Sequence, residues 1–302
     1  MKMRKTVKTR RGLLDLTRPV VMGIINATPD SFYSGSRIPG AEAAAARCGE
    51  MLRAGAAIID VGGCSTRPGA PMPGSDEELE RLAPVLGRIR ELHPDAVLSV
   101  DTFRASVARE CVTRWNVDII NDISGGDLDP AMWDTVAELG TPYVLMHTRG
   151  TPDTMQSLAV YDDVAAEVLR DLAEKVDALH ARGVADVIVD PGFGFAKDID
   201  QNYRLLAALG AFRALGCPLL AGMSRKTMVW KELGITPGQS LPGTLALDTI
   251  ALLNGADILR VHDVAETVQA VGVTEAYLRN MPERNSISTL RPDTNQADIT
   301  MA

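Results

Sequence analysis

Aromatic side chains are scarce in this chain. Phe, Tyr and Trp together make up 4% of its 302 residues, too few for the stacking platforms that hold single-stranded nucleic acid. A basic excess is also lacking. Lys and Arg number 31 against 39 Asp and Glu, a net charge of −8, so the electrostatic footprint of a nucleic-acid-binding domain is missing. No apolar run approaches the roughly 18 residues of a membrane span. Cysteine is sparse and scattered: Cys48, Cys64, Cys111 and Cys217 include no C-x-x-C pair. Such spacing forms no disulfide framework, matches no zinc module, and reads as reduced thiols in the cytoplasm. Neither of the common glycine-rich phosphate loops, G-x-G-x-x-G and G-x-x-x-x-G-K-[ST], occurs.

What is present suffices for a large core, with 46% hydrophobic residues and 23% charged, and the length suits a single α/β barrel. A short β-branched run, a polar or glycine-rich loop and an amphipathic stretch recur along the chain. The runs are Val20–Ile25, Ile58–Val61, Val97–Val100, Ile119–Ile120, Tyr143–Met146, Val187–Val189, Leu219–Ala221 and Ile258–Val261. They are nearly continuous in apolar residues, as parallel strands covered on both faces are. Between them lie helical patterns. Ser75-x-x-Glu78 reads as a capping box for a helix reaching Leu92. Asp129-Pro130 reads as a cap followed by proline in the first turn. Ala165, Leu169, Leu172, Val176 and Leu179 keep helical spacing up to Gly183. Eight strands alternating with helices predict a closed (β/α)8 TIM barrel over residues 18–281. Residues 1–17, with six Lys or Arg before Gly12, are expected to be a solvated basic tail. The polar stretch 282–302 is expected to be a disordered one.

Such barrels gather their chemistry at the C-terminal strand ends, so the residues just beyond each run carry the functional reading. They are Asn26, the segment Gly62 to Gly69, Asp101, Asn121-Asp122, His147, Asp190, Ser224-Arg225-Lys226, and His262-Asp263 after the eighth run, which itself contains Arg260. Any one acid there is as well read as a helix cap. Eight polar ends around one mouth read as a binding constellation. Asp101, Asn121 and Asp190 offer partners for a heterocycle with an amino-amide edge, and Arg67, Arg260 and His262 suit an anionic group such as a phosphate.

The blocks Met22 to Phe32, Asp60 to Ala70, Ser99-Val100-Asp101-Thr102, Ile120 to Gly126, Met146 to Pro152, Asp190 to Phe195, Gly222-Met223-Ser224-Arg225-Lys226 and Arg260 to Val264 together resemble the dihydropteroate synthase family of folate biosynthesis. The resemblance covers residues 20–280 in the family order. It implies a TIM barrel, commonly a homodimer, that joins 4-aminobenzoate to a dihydropterin methyl diphosphate with release of pyrophosphate. By resemblance, Asp101, Asn121, Asp190 and Lys226 hold the pterin, with Met146, Phe193 and Gly222 lining its slot. Arg67, Arg260 and His262 clamp the diphosphate, and Asn26 helps to hold Mg2+ beside it. Thr66 and Pro68 belong to a loop over the aminobenzoate, which Phe195 and Lys226 flank. Asp101, Lys226, Arg260 and His262 are the residues implied in catalysis. The related pterin-dependent methyltransferases do not need the Ser-Arg-Lys block or the Arg-x-His pair, and a non-catalytic pterin-binding protein is the other alternative. The chain departs from the family at Cys64, where Glu is usual, at Tyr33-Ser34-Gly35-Ser36, where Ser-Asp-Gly-Gly is usual, and at Ala196, where Gly is usual. These departures bear on the aminobenzoate side and on sulfonamide sensitivity.

Overall fold

In the computed structural model, residues 5–27, 37–64 and 72–281 are described. A small hairpin comes first, with β1 (Thr6–Thr9) antiparallel to β2 (Gly12–Asp15). Eight parallel strands follow: β3 (Val20–Asn26), β4 (Ile58–Gly62), β5 (Leu98–Asp101), β6 (Ile119–Asp122), β7 (Tyr143–Met146), β8 (Val187–Asp190), β9 (Leu220–Ala221) and β10 (Ile258–Val261). Each pairs with its chain neighbour from β3 to β8, β10 pairs with β3 and β9, and a parallel bridge from Val189 to Leu219 joins β8 to β9. The sheet thus closes into the TIM barrel. Its main helices are α1 (Arg37–Arg53), α2 (Ser75–Leu92), α3 (Ala105–Trp115), α4 (Met132–Leu139), α5 (Val164–Ala181), α6 (Ile199–Ala207), α7 (Thr227–Trp230), α8 (Leu241–Leu253) and α9 (Val264–Arg279). Among the described residues no helix is long and apolar enough to cross a membrane.

The two-residue side-chain period of a strand sorts the barrel into an outside and an inside. Val21, Ile59, Val61, Leu98, Val100, Ile120, Tyr143, Leu145, Val189 and Leu259 face outward and merge with the helices in one buried core. The alternate residues Met22, Ile58, Ile119, Val144, Ile188, Leu220 and Ile258 form a second cluster, the apolar floor of the barrel interior. Two positions further along the same strands, the inward residues become Asp60, Asn121, Met146, Asp190, Gly222 and Arg260. The interior is therefore apolar at one end and polar at the other, and the strand period sets that gradient.

The basic segment expected to be a solvated tail carries the hairpin instead. Its alternation places Val7, 1% exposed, on the apolar floor together with Leu16. A rim of acids at the strand starts receives the rest. Asp257 pairs with Lys5 at 2.6 Å, Asp186 accepts from the Lys8 amide at 3.2 Å, and Asp118 accepts from the Arg10 amide at 2.8 Å. A run of cations facing acidic strand starts folds onto them because it also has two apolar side chains to bury. Leu16→Ala is expected to lower the unfolding free energy by about 2–4 kcal/mol, read by urea denaturation, and to leave turnover unchanged. The polar stretch 282–302 lies outside the described residues.

Two helix starts also differ from expectation. The N-cap of α2 is Gly74 and its side-chain capping bond is missing, so Ser75 and Glu78 form no capping box. Glu78 is instead fully buried and paired with Arg104. Asp129 serves two helix starts: its Oδ1 accepts from the Ala131 amide just before α4 at 3.0 Å, the local contact expected, and its Oδ2 accepts from the Ala105 amide of α3 at 2.8 Å. Glu78 and Asp129 thus both make contacts across the fold, which local sequence does not contain.

Candidate active site

Asp60 lies at the centre of the polar end. It is fully buried and its Oδ2 accepts from Arg260 Nε at 2.7 Å and from Asn121 Nδ2 at 3.1 Å. Arg260 Nη2 also donates to Asp101 Oδ2 at 2.6 Å. The strand register makes this possible, since Gly62 pairs with Asp101 and Asp101 pairs with Asn121 on successive strands. Asp60 Oδ1 is buried and has no hydrogen-bond partner among the described residues. Asp60 is missing from the residues that follow the apolar runs because it stands inside the second of them. The signal that picks it out is an acid at an inward position of an apolar strand, two residues before the glycine-rich loop.

Asp190 ends β8, where its Oδ1 accepts from the Gly192 amide at 2.8 Å. Gly192 has φ 74°, and a Cβ there would collide with the carbonyl oxygen of His147, so the turn beyond Asp190 needs glycine. Lys226 follows β9. Its Nζ donates to the carbonyl of Phe193 and stands 4.6 Å from the centre of the Phe195 ring. Phe195 packs against a small apolar cluster of Phe103, Ile123 and Met146, together with Cys64 and Leu128. The ring of Phe193, expected in the slot, is fully buried in the outer core. Phe193 faces the site through its carbonyl oxygen, because successive residues of the turn point to opposite sides. Gly222 is buried, and a Cβ there would lie 3.7 Å from Arg260 Cβ, so its lack of a side chain leaves space beside the guanidinium.

His262 takes part in a second unit. Its Nδ1 lies 3.0 Å from Ser224 Oγ, and its amide donates to the same oxygen at 3.2 Å. Arg225 sits at φ 57° and forks onto Asp263, with Nη2 to Oδ1 at 2.5 Å and Nε to Oδ2 at 3.1 Å. The loops after β9 and β10 are therefore tied together beside Lys226. Asp122 serves structure, accepting from Ser124, Gly126 and Tyr143. Asn26 is exposed at the end of β3, in register with Gly62. Thr66, Arg67 and Pro68 lie outside the described residues.

Charge in this cup is finely balanced. Burial raises the Asp101 carboxyl above the usual aspartate range, against the pull of Arg260. Burial raises Asp190 too, with Lys226 pulling it down. Lys226 is lowered by desolvation to about 8, with Asp190 acting the other way. Burial works against the charge of Arg260, but Asp60 and Asp101 outweigh it and hold the guanidinium firmly protonated. Nη1 of Arg260 makes no hydrogen bond among the described residues, so one edge of the fork is free for a ligand.

The carboxylates of Asp60, Asp101 and Asp190, the cations Lys226 and Arg260 and the apolar patch around Phe195 gather at the polar end of the barrel, where barrel enzymes do their chemistry. The class is thus a TIM-barrel enzyme with a buried cluster of acids and cations at that end, and comparison with known proteins narrows it. Residues 22–262 match the family model described as pterin binding enzyme. The dihydropteroate synthase of Escherichia coli K12 is 46% identical over 267 residues, covering 88% of this chain and 94% of that protein. The structure of the Yersinia pestis dihydropteroate synthase with a sulfonamide drug complex superposes with a TM-score of 0.84 at 41% identity, covering 91% of this chain and 99% of that one. The Xanthomonas albilineans dihydropteroate synthase with 4-aminobenzoic acid gives a TM-score of 0.85 at 40% identity, covering 93% and 100%. This chain belongs to the dihydropteroate synthase family.

Proposed function

We propose that the chain condenses (7,8-dihydropterin-6-yl)methyl diphosphate with 4-aminobenzoate, giving 7,8-dihydropteroate and pyrophosphate. The observation that carries the reading is the cup itself. Asp101, Asn121 and Asp190 stand with Lys226 and Arg260 at the polar end of the barrel in a chain 46% identical to a dihydropteroate synthase.

The pterin lies flat with its ring N–H and amino donors on Asp101, Asn121 and Asp190, and Lys226 against its edge. As the methylene C–O bond breaks, the electron pair leaves with the diphosphate and positive charge spreads over the pterin. Asp101 stabilises that charge from close range. Fixed charges in an enclosed cup need no reorganisation at the moment of reaction. Arg260, His262 and Arg67 take the diphosphate. The aromatic amine, held by Phe195 and Lys226 under Thr66 and Pro68, attacks the methylene carbon and gives up a proton. No covalent enzyme intermediate is involved.

Asn26 offers one amide oxygen, and among the described residues no cluster of His, Cys, Asp or Glu could hold a metal ion. That donor set fits Mg2+ only as an ion completed by diphosphate oxygens and water, the usual manner of Mg2+ with phosphates. When bound there it would supply charge for the departing diphosphate. The buried thiols Cys48, Cys111 and Cys217, unpaired among the described residues, support a reducing, cytoplasmic setting.

A second copy of the chain is the proposed partner. Helices α8 and α9 lie side by side and leave Ile250, Leu253, Val273 and Tyr277 at 41%, 44%, 72% and 57% exposure. Large apolar side chains grouped on adjacent helices mark an association surface. Sedimentation is expected to give twice the chain mass, and Ile250→Lys to shift it toward the single-chain value.

The titrations give a pH profile. Asp101 and Asp190 bind pterin as carboxylates, and both are raised above the usual aspartate range by burial. Lys226 must keep its proton, which it loses near pH 8. The kcat/KM for the pterin substrate is therefore expected to fall on the acid side as the carboxyls protonate and on the alkaline side above about 8, a bell. Dihydropteroate formation from the two substrates, followed by mass spectrometry, tests the function. Tight pterin binding without product would leave a pterin-binding protein.

A further inference from the structure

Lys197 has no part in the scheme above, yet it is 3% exposed, a long amine sealed inside the protein, and desolvation lowers it to about 7. A buried polar group is costly unless it is hydrogen-bonded, and this one has three partners. Nζ lies 3.0 Å from each of the Gly192 and Phe195 carbonyl oxygens and 3.0 Å from His147 Nδ1. Desolvation, aided by Lys197 itself, keeps the His147 ring neutral. With Nδ1 accepting, its proton is assigned to Nε2.

These bonds close the turn from Asp190 to Lys197 from behind. On the other side, the Gly194 amide donates to Asn202 Oδ1 at 2.7 Å and the Phe193 carbonyl receives Lys226. The turn needs such support. Gly192 and Gly194 have φ 74° and 80°, and Ala196 sits at φ 47°, a conformation that a residue with a Cβ adopts only at a cost. Lys197 grips the carbonyl that immediately precedes Ala196. Asp190, by contrast, is set by strand register, paired with Met146.

We propose that Lys197, seated on His147, is a positioning residue for the aromatic amine: it holds the 190–197 turn in the shape that sets Phe195 against Lys226. The inference rests on the synthase reading and deepens it. The test is Lys197→Met in the full chain, which keeps much of the length and removes the donors. Losing these hydrogen bonds on one side of the site is expected to raise the KM for 4-aminobenzoate about tenfold or more, while kcat and the KM for the pterin diphosphate stay within about threefold. With 4-fluorophenylalanine in place of the five phenylalanines, the fluorine resonances of Phe193 and Phe195 are expected to shift, and that of Phe212 to stay. Two KM values rising in parallel, or unmoved Phe193 and Phe195 resonances, would overturn the proposal. A wild-type chain that forms no dihydropteroate would defeat the synthase reading instead, and the fluorine spectra would still decide whether Lys197 holds the turn.

Discussion

Arg260→Met is expected to cost turnover and stability together. Its guanidinium is the sole cation hydrogen-bonded to both Asp60 and Asp101 among the described residues. Removing one partner of a buried charge cluster leaves the others uncompensated, at about 3–5 kcal/mol of stability. Loss of charge stabilisation at the departing diphosphate is expected to lower kcat/KM about 10²–10³-fold. The sign of the pH effect follows. Without the arginine, nothing offsets the burial that already raises the Asp101 carboxyl. The variant would then be relatively more stable at low pH, losing stability as pH rises through the raised value of Asp101. Adding Asp60→Asn is expected to restore part of the stability, read by urea denaturation, and none of the turnover. Recovery of both would mean that Arg260 acts only through folding.

Lys226→Ala is the second large effect, and it is expected to spare the fold. The lysine lies between the carbonyl of Phe193 and the ring of Phe195, with Asp190 as its chief charge partner. Pterin affinity and kcat are expected to fall together, with kcat/KM down about 10²–10³-fold, because one cation serves both substrates. The alkaline limb near 8 should vanish with it. Lys226→Arg is not expected to rescue, since a planar fork cannot replace a compact ammonium at a carbonyl and a ring face. Calorimetric pterin binding unchanged in Lys226→Ala would remove the lysine from the pterin site.

Much of this was legible in the sequence. The strands announce themselves because parallel strands covered on both faces are apolar in nearly every residue. Their functional residues stand out because polar side chains appear where those runs end. Asp101, Asn121, Asp190 and Lys226 were read that way and Arg260 as a cation inside the last run, and the resemblance of eight ordered blocks gave the family that the comparisons bear out. What remained hidden depends on contacts between distant segments. Barrel closure rests on a single bridge at Leu219. The hairpin depends on acids more than 100 residues away, such as Asp118. Glu78 fits a capping pattern, but its partner, Arg104, comes from the next strand's loop. Phe193 and Phe195 look alike in sequence, and only the turn decides which offers a ring and which a carbonyl. Lys197 belongs to no periodic pattern, so only its burial reveals it.

The central claim is most directly tested by pyrophosphate release from the dihydropterin diphosphate with Mg2+, measured with and without 4-aminobenzoate while dihydropteroate is quantified. The account predicts release and product that rise together with the amine, one for one, and that both fall in Arg260→Met and Lys226→Ala. Pterin binding with neither release nor product would contradict it.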